Sequence, residues 1–283
     1  MAKLSGLIKL IRPINSLVMG FAILVGVLLA ATGNSNIQWL NLLMGSITAF
    51  SLTAAAMVIN DYHDYDIDKI NEPTRPIPSG AVSKNAALVE TGVLSVIGLA
   101  AAYYVSLYCF VFAFVAWIIM ATYSTVGKRS GLPGNFLVSA CVAAPFLYGS
   151  LIALNMITVN VLLFASMAFL SNTGREIAKG NVDVYGDRSY NIKTMAVRFG
   201  EKKAAYAAAF FFISAVILTF FPIIFNLVSI WFIPFVLVTD IGLIWCSISL
   251  IRDPFRENAR KIKRFVLYLF IFGLLSFIAG MFG

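Results

Sequence analysis

Charge is scarce in this 283-residue chain. Only 12% of residues are Asp, Glu, Lys or Arg, against a hydrophobic fraction of 60% and a mean hydropathy of +0.89. That scarcity excludes an ordinary soluble domain, in which about a quarter of residues are charged. No polar stretch is long enough to form a separate soluble domain, so residues 1–283 read as a single domain. Cysteine is also sparse. Cys109, Cys141 and Cys246 lie in or beside apolar segments with neither paired nor metal-ligand spacing. This excludes a disulfide framework and leaves three small buried hydrophobes. A cleavable signal with a small-residue exit site is missing as well, so the first apolar run is expected to remain as a membrane helix.

What the chain has instead is a succession of long apolar runs. With about 20 apolar residues needed per span, nine membrane helices are expected, near 14–32, 38–60, 85–106, 108–126, 136–153, 158–178, 202–221, 229–251 and 264–282. The connections at 61–84, 127–135, 179–201 and 252–263 share one side with the N-terminal Lys3, Lys9 and Arg12. Outer connections such as TGNSNIQ (32–38) and PIIFNLV (222–228) contain no Lys or Arg. All 21 basic residues then fall on or near one side, which the positive-inside rule makes cytoplasmic. The expectation is a multi-pass protein of the cell membrane with its N-terminus and site facing the cytoplasm. This distribution accounts for the net charge of +8 without a nucleic-acid partner.

Two acidic motifs follow the second and sixth helices. The first, Asn60–Gly80, reads NDYHDYDIDKINEPTRPIPSG, with aspartates at 61, 64, 66 and 68. On a helix, Asp61, Asp64 and Asp68 stand at i, i+3 and i+7 and share a face, with Asn60 at its edge. Like charges on one face repel, by roughly 0.2–0.5 kcal/mol per pair in water and by more where they are poorly solvated. A divalent cation removes that repulsion. Ligands that are all oxygen favour Mg²⁺ or Ca²⁺ over zinc, and Mg²⁺ completes its shell with water and substrate phosphates. The second motif places Asp183 and Asp187 at i, i+4 in DVYGD. The two are expected to be facing halves of one metal–diphosphate site, with Asn60, Asp61, Asp64, Asp68, Asp183 and Asp187 as candidate ligands and Asp64, Asp68, Asp183 and Asp187 as the candidate catalytic residues. The linker NEPTRPIPSG carries three prolines and a glycine, cannot continue the helix, and reads as a lid or binding loop.

Basic residues surround the acids, as an anion bridged by metal requires. Lys128, which follows Tyr123 at the end of the fourth helix, is assigned with Tyr123 and Arg75 to the diphosphate. Arg175 and Lys179 precede Asp183 by two and one helical turns and are further candidates to touch phosphate. His63, the one histidine, and Asp66 face away from the 61/64/68 face and are not expected to act. Asp240 lies near the middle of the eighth helix, where an ionised carboxylate costs at least about 2.5–3.5 kcal/mol. Both a functional acid and a neutral one hydrogen-bonded between helices fit that position.

NDYHDYDID resembles the NDxxDxxxD motif of the UbiA-type intramembrane prenyltransferases, and DVYGDRSYNIKT resembles their DxxGDxxxGxxT motif. Order, spacing and the nine-helix reading extend the resemblance over essentially the whole chain. Asn191 departs from it, standing where the family usually has glycine; asparagine tolerates left-handed backbone, so the turn is expected to survive. The flanks REIAKGNVDVYGD, KRSGLPGN and RENARKIK are most similar to the archaeal digeranylgeranylglyceryl phosphate synthase branch, while INEPTRPIPSGAVS also resembles chlorophyll synthases. The resemblance implies an all-α bundle of nine transmembrane helices. It also implies Mg²⁺-dependent transfer of a geranylgeranyl group from geranylgeranyl diphosphate to the hydroxyl of geranylgeranylglyceryl phosphate, within the lipid bilayer, with Arg175, Lys179 and Lys193 expected to hold the phosphate of that acceptor. Two alternatives stay open: a UbiA-type enzyme acting on an aromatic, quinone or chlorophyll-like acceptor, and a cation-coupled transporter.

Overall fold

The computed structural model describes residues 4–31, 37–190 and 192–282, and among them every regular element is helical. The helices are α1 (Leu4–Leu10), α2 (Pro13–Ala30), α3 (Trp39–His63), α4 (Tyr65–Asn71), α5 (Lys84–Val105), α6 (Leu107–Thr125) and α7 (Leu132–Leu154). They continue with α8 (Val159–Ser189), α9 (Met195–Phe199), α10 (Glu201–Leu218), α11 (Phe220–Ile224), α12 (Phe232–Arg252) and α13 (Arg256–Gly280). Eight segments of the described residues are long and apolar enough to cross a membrane: α2, α3, α5, α6, α7, α10 with α11, α12 and α13.

The ninth expected span, 158–178, is the first part of α8. At 31 residues this helix is about 46 Å long, ample for a hydrocarbon core of about 30 Å. It falls short of the others in apolarity because it carries Ser171, Asn172, Thr173, Arg175 and Glu176. Those groups are accommodated because α8 is enclosed within its own unit by α9, α10 and α13. Asn172 and Thr173 are buried and both donate to the Ser139 hydroxyl, at 3.1 and 2.9 Å.

The chain divides into two compact units, 1–125 with 145–157, and 126–144 with 158–283. In the first unit α3 packs against α2, α5 and α6. Small residues let α2 and the end of α7 approach closely: a Cβ on Gly149 would meet the Ile23 carbonyl oxygen at 2.6 Å. In the second unit Gly174 of α8 does the same, where a Cβ would meet the Phe212 ring at 2.7 Å. The core there joins Ile177, Ala204, Ala208, Phe212, Leu243, Ile262 and Val266.

The helices outrun the expected spans at the acidic and basic ends. The connection expected at 252–263 shrinks to three residues, because α13 starts at Arg256. Ala259 and Ile262 give those first turns an apolar face that buries in the core, while Arg256, Glu257, Arg260 and Lys261 are exposed and Lys263 is half-buried. The connection expected at 179–201 is largely the end of α8 followed by α9. The proline-rich linker is not a loose strap: Ile77 and Val82 are buried with Leu10 and Val58. Its turns close through Ser79 N–H to the Arg75 carbonyl (3.0 Å) and Val82 N–H to the Pro76 carbonyl (2.9 Å).

Candidate active site

In the first unit the acidic motif sits where α3 gives way to α4. The backbone ladder survives the break, as Asp64 N–H donates to the Asn60 carbonyl at 2.9 Å and Asp68 N–H to the Asp64 carbonyl at 2.8 Å. The i, i+3, i+7 face is therefore preserved. Asp61, Asp64 and Asp68 are 3, 8 and 5% exposed, whereas His63 and Asp66 point to the exterior. The Asn60 side chain donates to Asp64 Oδ2 at 3.0 Å.

Two guanidinium groups neutralise the other two carboxylates. Arg75, from the proline-rich linker, donates to Asp68 Oδ2 at 2.7 Å and reaches Asp61 Oδ1 at 3.5 Å. Arg12 donates to the same Asp61 oxygen at 2.7 Å. Arg12 occupies the joint between α1 and α2 with φ of 45°, a left-handed conformation costing a non-glycine residue roughly 1–3 kcal/mol. Its ion pair with a buried carboxylate offsets that strain. Sequence reasoning counted Arg12 only as a topology determinant; its place directly before Pro13, where a helical backbone is disfavoured, was the available signal.

In the second unit Asp183 and Asp187 lie half-buried near the end of α8, beyond the expected span 158–178. Burial, and next the charge of Asp183, push the Asp187 carboxyl up to about 6. Lys179, the Thr194 hydroxyl and Lys128 oppose that rise. Thr194 ends the second motif and also caps α9, accepting from Val197 N–H at 3.4 Å. Asn191, between them, lies outside the described residues. Lys128 is half-buried in a short 3₁₀ turn, Gly127–Arg129, whose last carbonyl accepts from Lys193 N–H at 3.3 Å. The Lys193 side chain is exposed, and Tyr123, in the other unit, is half-buried in the last turn of α6.

Arg175 and Lys179 come together on a residue the sequence reading did not single out. Glu176 accepts from Arg175 at 2.7 Å and from Lys179 at 3.2 Å, and Arg175 Nε also donates to the Lys263 carbonyl at 3.3 Å. Glu176 thus holds two cations in register, one turn and two turns before Asp183. Asp240 is buried in α12 and accepts from the Thr219 hydroxyl at 2.8 Å through Oδ2, while Oδ1 finds no partner among the described residues.

Among the described residues no group of three or more His, Cys, Asp or Glu converges as a ready metal cage. The donors nevertheless suit Mg²⁺, which takes one or two carboxylates and leaves its remaining positions to water and phosphate oxygens. Asp183 and Asp187 supply oxygen ligands and a mutual repulsion for a cation to relieve, and Asp64 with Asn60 supplies a second oxygen pair.

Residues 19–278 match the model of the UbiA prenyltransferase family. Digeranylgeranylglyceryl phosphate synthase of Archaeoglobus fulgidus is 36% identical over 279 residues, covering 96% of this chain and 94% of that one. The synthase of the same name from Pyrococcus furiosus is 35% identical, covering 98% of each. A solved structure described as giving insights into digeranylgeranylglyceryl phosphate synthase in membranes superposes with a TM-score of 0.87 at 29% identity, over 98% of both chains. A UbiA homolog from Archaeoglobus fulgidus bound to GPP and Mg²⁺ shares the fold, with a TM-score of 0.69 at 17% identity over 96% of this chain and 99% of that one.

Proposed function

Because this chain belongs to the UbiA prenyltransferase family and is thus a membrane-embedded prenyltransferase, we propose that it carries a geranylgeranyl group from geranylgeranyl diphosphate to the free hydroxyl of geranylgeranylglyceryl phosphate. The observation that supports this choice of substrates is identity of 36% to a synthase of that name across nearly its whole length. Family membership removes a cation-coupled transporter as an alternative. Residues 1–283 act as one catalytic domain in this reading, with the N-terminus and the active site on the cytoplasmic side, as the placement of Lys and Arg suggests.

In the reaction the C1–oxygen bond to diphosphate breaks to leave an allylic cation, the acceptor's hydroxyl oxygen bonds to its C1, and the hydroxyl proton is released. Diphosphate leaves an allylic carbon only if its growing negative charge is neutralised. Mg²⁺ supplies that neutralisation when bound, and Asn60, Asp61, Asp64, Asp68, Asp183 and Asp187 are the residues proposed to hold it, with Asp64, Asp68, Asp183 and Asp187 indispensable. Lys128, Tyr123 and Arg75 are assigned to the diphosphate oxygens. Arg75 must exchange Asp68 for phosphate to do so, a trade between two charge-assisted partners of similar strength. The allylic cation requires walls that exclude water, which the apolar helices provide.

Arg175, Lys179 and Lys193 are assigned to the acceptor's phosphate. Each contact of this kind is worth roughly 1.5–3 kcal/mol, or about ten- to a hundredfold in binding. Arg175→Gln, Lys179→Gln and Lys193→Gln should raise the acceptor's KM by that factor and leave the donor's KM nearly unchanged. A rise confined to the donor in all three variants would assign these cations to the diphosphate and remove the physical argument for a phosphorylated acceptor.

A further inference from the structure

The outward face of α13 carries a feature that prenyl transfer does not use. Glu257, Arg260, Lys261, Arg264, Phe265 and Tyr268 stand at i, i+3, i+4, i+7, i+8 and i+11, so they form one stripe along the helix. The opposite stripe, Ala259, Ile262, Val266 and Leu269, is buried in the core of the unit. With Trp245 of α12, the outward stripe lines a groove of about 530 Å³.

The order of chemistry along the groove is that of an amphipathic anion. Arg260 and Lys261 lie in the second turn of α13, and Arg264 about 12 Å from its start. None of the three has a carboxylate partner among the described residues. Deeper along the same face come Phe265 and Tyr268, about 18 Å from the start at the latter. The Trp245 ring packs edge-on against Phe265 with centroids 5.3 Å apart, and Trp245, Phe265 and Tyr268 are 52, 39 and 62% exposed. Glu257, the one acid of the groove, is in the first turn of α13 at the water end. Uncompensated cations at the helix end with exposed aromatic rings beneath them match a phosphate headgroup with a chain running into the bilayer.

We propose that the α12–α13 groove is a binding site for an anionic phospholipid of the surrounding membrane, its phosphate held by Arg260, Lys261 and Arg264 and its chain lying along Trp245 and Phe265. The site is separate from the acidic motifs and stands or falls without the substrate assignment above.

The test uses the full-length protein purified in detergent and titrated with phosphatidylglycerol, phosphatidylcholine or inorganic phosphate under native mass spectrometry. Wild type should retain phosphatidylglycerol in preference to phosphatidylcholine. The triple variant R260Q/K261Q/R264Q should bind it at least about tenfold more weakly, while R260K/R264K should behave as wild type. Independently, phosphatidylglycerol brominated along its chain should quench Trp245, and the Trp245→Phe variant should lose that part of the quenching. Equal phosphatidylglycerol affinity in wild type and triple variant, or equal retention of phosphatidylcholine, would overturn the site. Competition by inorganic phosphate at the lipid's own concentration would overturn the lipid assignment. A wild-type dimer that the triple variant breaks, with lipid content unchanged, would make this face a contact between copies of the chain and overturn the proposal equally.

Discussion

Arg12 and Asp61 are 49 residues apart in the chain and 2.7 Å apart in the fold. Arg75 approaches the same carboxylate oxygen from 14 residues downstream, at 3.5 Å. One buried acid therefore fastens the α1–α2 joint and the proline-rich linker to the end of α3. Since the Arg12 side chain is 34% exposed, solvent screens its contact in part, and Arg12→Gln should cost about 1–2 kcal/mol. Thermal unfolding in detergent measures this. Asp61→Asn should cost a similar amount, and the double variant should cost less than the sum. Strict additivity would mean that the two side chains do not depend on each other.

The helical face of the first motif separates acting from idle residues. Asp64→Ala and Asp187→Ala should abolish prenyl transfer in protein that still folds, whereas His63→Ala and Asp66→Asn should retain most of it. Loss of activity in Asp66→Asn comparable to that in Asp64→Ala would contradict the division into buried and exposed faces.

The Asp187 carboxyl, pushed up to about 6, predicts how turnover depends on acidity. A protonated carboxyl is a poor ligand, so at limiting Mg²⁺ the rate should fall as the pH drops through about 6. The proton and the cation compete, so saturating Mg²⁺ should move that midpoint to lower pH. A midpoint that ignores Mg²⁺ concentration would detach the titration from metal binding.

The placement of Lys and Arg predicts sidedness. In sealed vesicles of known orientation, single cysteines at 34 and 226 should react with an impermeant reagent from outside, and those at 80, 130 and 256 should not. External labelling at 80 would reverse the orientation.

Patterns local to one helix were legible before any coordinates. The i, i+3, i+7 spacing separated Asp61, Asp64 and Asp68 from His63 and Asp66, and the break near 106–108 is present, with Ser106 extended between α5 and α6. The run of apolar residues at 158–178 marked the first part of α8, although the polar groups at 171–176 lower its hydropathy. Partnerships across the fold were not legible. The place of Arg12 before Pro13 marks a joint between helices, but a single sequence does not say that its guanidinium neutralises Asp61, 49 residues away. Glu176 looked like one more charge beside the motif because its role depends on the rotamers of Arg175 and Lys179. The helical start of α13 was missed because its charged residues outnumber the two, Ala259 and Ile262, that anchor it.

The substrate assignment is tested most directly by offering acceptors in turn. Purified protein with Mg²⁺ and geranylgeranyl diphosphate would be given geranylgeranylglyceryl phosphate, its dephosphorylated alcohol, and aromatic acceptors of quinone and chlorophyll type, with ether and aryl products resolved by mass. The account predicts rapid digeranylgeranyl ether formation with the phosphorylated lipid, slower turnover by about tenfold or more with the alcohol, which forgoes the phosphate contacts, and none with the aromatic compounds. Prenylation of an aromatic acceptor in preference to the glyceryl phosphate would contradict it.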